Sequence, residues 1–450
     1  MGSHVIDMLT IGNSFGTPQM RAVWSEESRL RAQLRVEAAL ARAEAALGVI
    51  PAAAAERIAA AAEQDFDLEA IAGEAAKAMH SLNATIGALQ RAAGDDGEWV
   101  HYGVTTQDVV DTGAVLQVRD GLAILRADLR AVATDLAGLA GRHRTTPMVA
   151  RTHYVQALPT TFGFKVAIWL DELLRHVERL DAVAERVLTG NINGGVGTAA
   201  SLGERGRDVE VATLELLGLH VPTISWQSSR DRIAEYAQLL ALISASLGKI
   251  ATELSSLMHT EIAEVEEPFA LGKIGSTTMP HKRNPALLEG AAALTAPIKH
   301  AAGLALDGMA TVHERDAISW RAEWIALPEL HIYLAGQLAT MHRVLSGLVV
   351  REDAMLRNLH AQGGLIMSER AMFMLGDRLG KQTAHHAVYE AAMAAIDSGR
   401  TLAEVLAEDP RVRAEFTADD IAGWLDPLNY LGDAPAAVDR VLARAAEVLG

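Results

Sequence analysis

A chain of 450 residues, 50% hydrophobic and 22% charged, can bury a large core spread over two or three domains. Its formal net charge of -17 argues against general nucleic-acid binding, which needs a basic face, so an anionic substrate would require cations concentrated in one pocket. The lack of any cysteine excludes disulfides, thiolate nucleophiles and cysteine-ligated zinc or iron–sulfur centres, and fits a cytoplasmic protein.

Aromatic residues make up only 4%, while Ala, Leu and Glu abound, which favours helices over sheets. No run of 18 apolar residues predicts a membrane span, and the first residues show no basic segment followed by an apolar core, so no secretory signal is expected. Residues 1 to about 112 read as short helices. Ser25-Glu26-Glu27 suits a helix start, the pattern runs from 29 to about 47, and Gly48 and Pro51 end it. An Ala-rich helix follows over 52–64, and a third is predicted over 67 to about 91. His80-Ser81-Leu82-Asn83 lies within that span, and a capping role is its bland reading. After a Gly- and Asp-rich loop comes His101-Tyr102-Gly103-Val104-Thr105-Thr106-Gln107-Asp108. Its hydroxyls can cap the next helix, or hold a carboxylate with that helix's first amides.

The middle of the chain predicts long helices. Residues 111 to about 141 carry an apolar stripe that includes Leu116, Leu122, Leu125 and Leu129. Arg151-Thr152-His153, closed by Pro159 and set just before a helix, could bind an anion and shuttle a proton. Helical patterns then cover 162–188 and 230–265, the second long enough to call for a bundle and for partners from other subunits. Gly275-Ser276-Thr277-Thr278-Met279-Pro280-His281-Lys282-Arg283-Asn284-Pro285, with Glu289 beyond it, is a different kind of segment. Its two prolines rule out a regular helix or central strand, leaving hydroxyls, cations and an amide on an irregular loop between stiff helices.

Helical patterns resume over 285–312 and 328–348. Between them stand His313-Glu314-Arg315-Asp316 and Trp320-Arg321-Ala322-Glu323-Trp324, whose tryptophans suggest a pocket wall. Beyond 351 the helices shorten, with turns at Asp409-Pro410 and Asp426-Pro427. The expected organisation is all-α with three helical domains: 1–112, 113–350 with the irregular loop, and 351–450. Gly195-Val196-Gly197-Thr198-Ala199-Ala200 lacks a preceding strand, and adjacent His385 and His386 make a poor metal pair on a helix. No cofactor and no metal is expected.

Five separated motifs resemble those of one family. Gly275-Ser276-Thr277-x-Met279-Pro280-x-Lys282-x-Asn284 is similar to the signature loop of the fumarase/aspartase superfamily, with Thr277 where a second Ser is usual. Arg151-Thr152-His153, Gly103 to Asp108, and Ser229-Arg230-Asp231-Arg232 with His313 to Asp316 resemble further segments, the last two those of the adenylosuccinate lyase branch. The resemblance covers roughly residues 20–440. It implies an all-helical homotetramer with a twenty-helix core, whose active sites each draw on three subunits. It also implies a small anionic dicarboxylate substrate and reversible anti-elimination that releases fumarate. Carried over, Ser276 is the base, His153 the general acid and Glu289 its orienting partner. Thr105, Thr106, Thr152, Thr277, Lys282 and Asn284 bind substrate, with His80 and Arg315 on the leaving-group side.

The branch is read from departures. The N-terminal Arg-Tyr pair of adenylosuccinate lyases is missing, with Asn13-Ser14-Phe15-Gly16-Thr17 near its place, and Trp320 and Trp324 stand where a Ser and an Arg grip the nucleotide phosphate. Indoles there remove charge and fill volume, against a nucleotide leaving group. The Trp pair and Leu425-Asp426-Pro427-x-x-Tyr430-Leu431-Gly432 look like bacterial 3-carboxy-cis,cis-muconate cycloisomerases. Retention of His153, Glu289 and His80 favours elimination with C–N or C–O cleavage, the cycloisomerase being the alternative and adenylosuccinate lyase the lesser one.

Overall fold

The computed structural model describes residues 3–269, 278–279 and 281–450. Its elements are overwhelmingly α-helical, with four short strands among the described residues. The chain divides into two compact units, one of Met1–Leu129, His176–Gly248 and Gly290–Thr340, the other of Arg130–Arg175, Lys249–Glu289 and Met341–Gly450.

In the first unit, the helix Glu26–Ala46 begins where Ser25 Oγ accepts from the Ser28 amide at 3.2 Å, as its sequence predicts. One apolar face meets Ile58, Leu89 and Ile50, and another meets Leu82, Leu116, Leu214 and Trp226. Each such aliphatic side chain removed from water contributes about 1.5–3 kcal/mol before entropy is counted. The helix predicted over 67–91 is instead two, Leu68–Ala78 and Ser81–Ala93. Met79 takes a left-handed conformation (φ 51°) and His80 an extended one, with its Nδ1 accepting from the Asn83 amide at 3.2 Å. The apolar periodicity runs on across the break, so only the cap marks it. The next helix, Thr106–Arg142, starts earlier than its apolar stripe, and the one predicted to start at Pro328 is Ile318–Ser346 with Pro328 inside. Asp316 sets that start by accepting from the amides of Ile318 (2.7 Å) and Ser319 (3.4 Å). The pattern over 285–312 also divides, into Ala286–Ala293 and Thr295–Asp307, with Pro297 in the first turn of the second, where its missing N–H costs little.

In the second unit, the segment around Arg151 is a β-hairpin, which leads directly into the helix Phe162–Val187. Strands β1 (Pro147–Thr152) and β2 (Val155–Thr161) pair antiparallel from Pro147↔Thr161 to Thr152↔Val155, with an irregularity between Val149 and Arg151. Pro159 is tolerated because a two-stranded sheet has only edge strands. Buried Val149 ties the hairpin to a C-terminal core that includes Leu359, Met367, Leu375 and Leu402. The helix Asp231–Leu257 ends eight residues short of the predicted Val265, because Val265–Glu266 pairs with Val349–Val350 as a short antiparallel ladder. Among the described residues this is the one helix long and apolar enough to cross a membrane, but 67% of its most apolar window is buried, as in a core helix.

Candidate active site

The first unit gathers four of the predicted binding residues. The amide of Thr105 donates to Asp108 Oδ2 at 3.0 Å, turning the backbone into the Thr106–Arg142 helix. Asp108 is fully buried and also accepts from the amides of Asn193 (3.0 Å) and Gly194 (2.8 Å) and from Asn191 Nδ2 (2.9 Å) and Gln227 Nε2 (3.1 Å). Burial pushes its carboxyl up to about 6, against hydrogen bonds that favour the anion. With its shape fixed from below, the loop presents two hydroxyls. Thr105 Oγ1 accepts from Arg315 Nη1 at 3.0 Å, and Thr106 Oγ1 lies 3.5 Å from His80 Nε2. Because His80 Nδ1 already accepts from a helix amide, a neutral ring carries its proton on Nε2, facing Thr106. His80, Thr105, Thr106 and Arg315 thus form a donor-rich group suited to an anionic oxygen.

One turn further along the same helix, Asp111 holds the motif residue Arg230. The guanidinium donates to Asp111 Oδ2 at 2.7 Å and Oδ1 at 3.1 Å, and to both carboxylate oxygens of Glu323, through Nε at 2.8 Å. Burial disfavours its charge, but Asp111 and Glu323 outweigh that and raise its pKa. Arg230, which also lies over the Trp226 ring at 4.7 Å, is therefore a buried, fold-holding cation bound to two carboxylates.

The second unit carries His153, the predicted general acid. His153 and Tyr154 form the two-residue hairpin turn with φ of 50° and 69°, the left-handed pair that such a connection requires. Thr152, His153 and Tyr154 are all exposed, and Tyr154 is 101% exposed. His153, Gln156, Glu253, His259 and Asn358 are among the residues lining a cavity of about 830 Å³. Arg151 is not available there as an anion binder. It makes a bidentate pair with buried Glu264 (2.8 and 3.0 Å), which also accepts from Asn358 Nδ2 at 2.9 Å. Its cation ties the turn end of the hairpin to Glu264.

Residues 278–279 and 281–285 form neither helix nor strand, as their prolines predict, while Ser276 and Thr277 lie outside the described residues. Lys282 is exposed and its amide bonds to the Met279 carbonyl at 3.0 Å, and Asn284 is half-buried. The neighbouring cation, Arg283, is occupied by Glu266 at 2.7 Å and lies over the Phe269 ring. Glu289 is exposed in the first turn of Ala286–Ala293, a helix started by buried Glu267, which accepts from the Leu288 amide at 2.8 Å. Among the described residues no hydrogen bond joins Glu289 to His153.

The buried residues that shape the Thr105 loop were not singled out by sequence. Asn191 and Asn193 sit in a stretch that reads only as a helix break, and Gln227 carries no local signal. The alternation of Gly and Asn over 190–194 was the available clue, since Asn in a helix break tends to bond backbone and polar groups around it. Among the described residues no group of three or more His, Asp or Glu side chains could hold a metal ion.

Residues 14–297 match the family described as "Lyase", and residues 364–441 match "Adenylosuccinate lyase C-terminus". The chain is 56% identical over 443 residues to N-acetyl-S-(2-succino)cysteine lyase of Dickeya dadantii, covering 98% of each chain. It is 54% identical over 444 residues to the protein of the same name from Enterococcus italicus, again covering 98% of each. Among solved structures, 3-carboxy-cis,cis-muconate lactonizing enzyme from Pseudomonas putida superimposes with a TM-score of 0.92 at 36% identity, covering 97% of this chain and 99% of that one.

Proposed function

This chain belongs to the lyase family, within the fumarase/aspartase superfamily, and on that premise we propose that it splits a 2-succinyl thioether into fumarate and a small, non-nucleotide thiol. The observation that carries the reading is identity above one half, along nearly the whole chain, to two lyases named for a succinylated cysteine derivative. The indoles of Trp320 and Trp324, stacked at 6.1 Å where a nucleotide phosphate would need a Ser and an Arg, support it.

In this mechanism Ser276 removes the proton from the carbon next to a carboxylate. The C–H electrons first delocalise into that carboxylate as a dianion, then form the C=C bond as the C–S bond breaks and sulfur leaves with the second electron pair. The dianion needs dense electrostatic support, which Thr105, Thr106, Thr277, Lys282 and Asn284 supply, with Thr152 beside them. His153, oriented by Glu289, gives the leaving sulfur its proton, while His80 and Arg315 line the leaving-group side. A thiol's pKa of about 8.5 makes its anion a fair leaving group, so His153 matters less here than for an amine.

His153 stands on an exposed turn and its orienting carboxylate on a separate helix, an arrangement that suits active sites assembled from several subunits of a homotetramer. The three-part division into 1–112, 113–350 and 351–450 and a cytoplasmic location belong to the same reading. The test is to incubate purified protein with S-(2-succinyl)-N-acetylcysteine, adenylosuccinate and 3-carboxy-cis,cis-muconate. Fumarate from the thioether alone is expected. Lactone from the muconate without fumarate from the thioether would replace the reading with cycloisomerisation.

A further inference from the structure

The two tryptophans do not leave their surroundings without charge. Trp324 lines a cavity of about 250 Å³ in the first unit, and Arg29, from the helix Glu26–Ala46, lays its guanidinium over the Trp324 ring at 4.5 Å. Among the described residues, Arg29 Nη2 is buried and has no hydrogen-bond partner, and the same is true of the indole Nε1 of Trp24, which also lines the cavity. Leaving a guanidinium N–H buried and unpaired costs free energy unless something else satisfies it. The two carboxylates bordering the cavity do not: Glu323 is bound to Arg230, and Glu26 acts on Arg29 through its charge but makes no hydrogen bond to the orphaned nitrogen.

The cavity is close to the predicted chemistry. Val110 and Ala114 on its wall lie about one and two helical turns beyond Thr106, roughly 6–12 Å along the axis. A smaller neighbouring cavity shares Glu26, Arg29 and Gln33 and reaches Ser81, next to His80. Arg29 thus lines both the cavity beside the helix that follows Thr106 and the one that reaches the residue after His80.

We infer that Arg29, stacked on Trp324 and joined by the Trp24 indole N–H, binds a carboxylate on the leaving group, and so selects thiols that carry an acid group a few bonds from sulfur. This rests on the elimination reading above. The planar fork of Arg29 matches a carboxylate, and the stacking fixes its orientation in advance.

The test compares two substrates, S-(2-succinyl)-N-acetylcysteine and S-(2-succinyl)-N-acetylcysteamine, which differ by one carboxylate. Wild type should favour the first by roughly 10- to 100-fold in kcat/KM, the range of a charge-assisted hydrogen bond. Arg29→Met should cleave both at the rate of the truncated substrate, and Arg29→Lys, which keeps charge but loses the fork, should fall between. Calorimetry with N-acetylcysteine alone should show binding to wild type and none to Arg29→Met. No discrimination by wild type, or an equal loss on both substrates in Arg29→Met and Arg29→Lys, would overturn the assignment. Fumarate from neither substrate would sink the elimination reading instead, and the calorimetric comparison would still decide whether Arg29 holds a carboxylate.

Discussion

Removing the guanidinium of Arg230 would strand two carboxylates in a nearly dry interior. The side chains of Arg230, Asp111 and Glu323 are 1%, 4% and 6% exposed, so solvent cannot replace the lost partner. Arg230→Met should cost about 3–5 kcal/mol of unfolding free energy in denaturant titration, whereas replacing all three by apolar residues of similar volume should cost far less. Among the described residues, a second buried acid has no hydrogen-bond partner. Glu44 is 0% exposed, both its carboxylate oxygens lack hydrogen bonds, and burial, helped by the nearby charge of Glu37, pushes it from 4.5 up to about 8. The folded protein keeps a proton there that the unfolded chain releases, so this group's contribution is full below pH 4.5 and is lost as pH rises to about 8. Glu44→Gln should remove that decline, making the variant more stable than wild type at pH 9 by about 2–4 kcal/mol and little different at pH 5.

Elements differ in how plainly the sequence announces them. Long helices are legible because apolar residues recur at three- and four-residue steps, and Ser25 marks a start in the usual way. The hairpin was hidden: His153-Tyr154 supplies none of the Gly or Asn that normally signals two residues with positive φ, and β1 shows little alternation. The break at Met79-His80 was hidden for a related reason, since a histidine does the capping that Ser or Asn usually does. The candidate site was legible as motifs, but not the division of labour within them. Arg151 looks like an anion binder and is spent on Glu264, while Arg29 looks like an ordinary helix residue and holds a buried N–H with nothing to bond. His80 combines cap and site, and the two roles can be separated. His80→Asn keeps a good cap and should hold the melting temperature while losing activity. His80→Ala should lose activity and also about 1 kcal/mol of stability.

At the scale of the whole molecule, the proposed site residues fall on two structural units, with His80, Thr105, Thr106 and Arg315 on one and Thr152, His153, Lys282, Asn284 and Glu289 on the other. If active sites are shared between subunits of a tetramer, two inactive variants should rescue each other. Mixed His80→Ala and His153→Ala chains, dissociated and reassembled together, should regain a measurable fraction of wild-type turnover. Separately reassembled controls should stay inactive, and a mixture as dead as its parents would mean that each chain works alone. The bare tip of the 152–155 turn extends the same logic. If sites are shared, what an imidazole displayed there can do depends on what a neighbour brings. Dilution should therefore silence the enzyme before it unravels it, with rate per molecule dropping while circular dichroism stays flat.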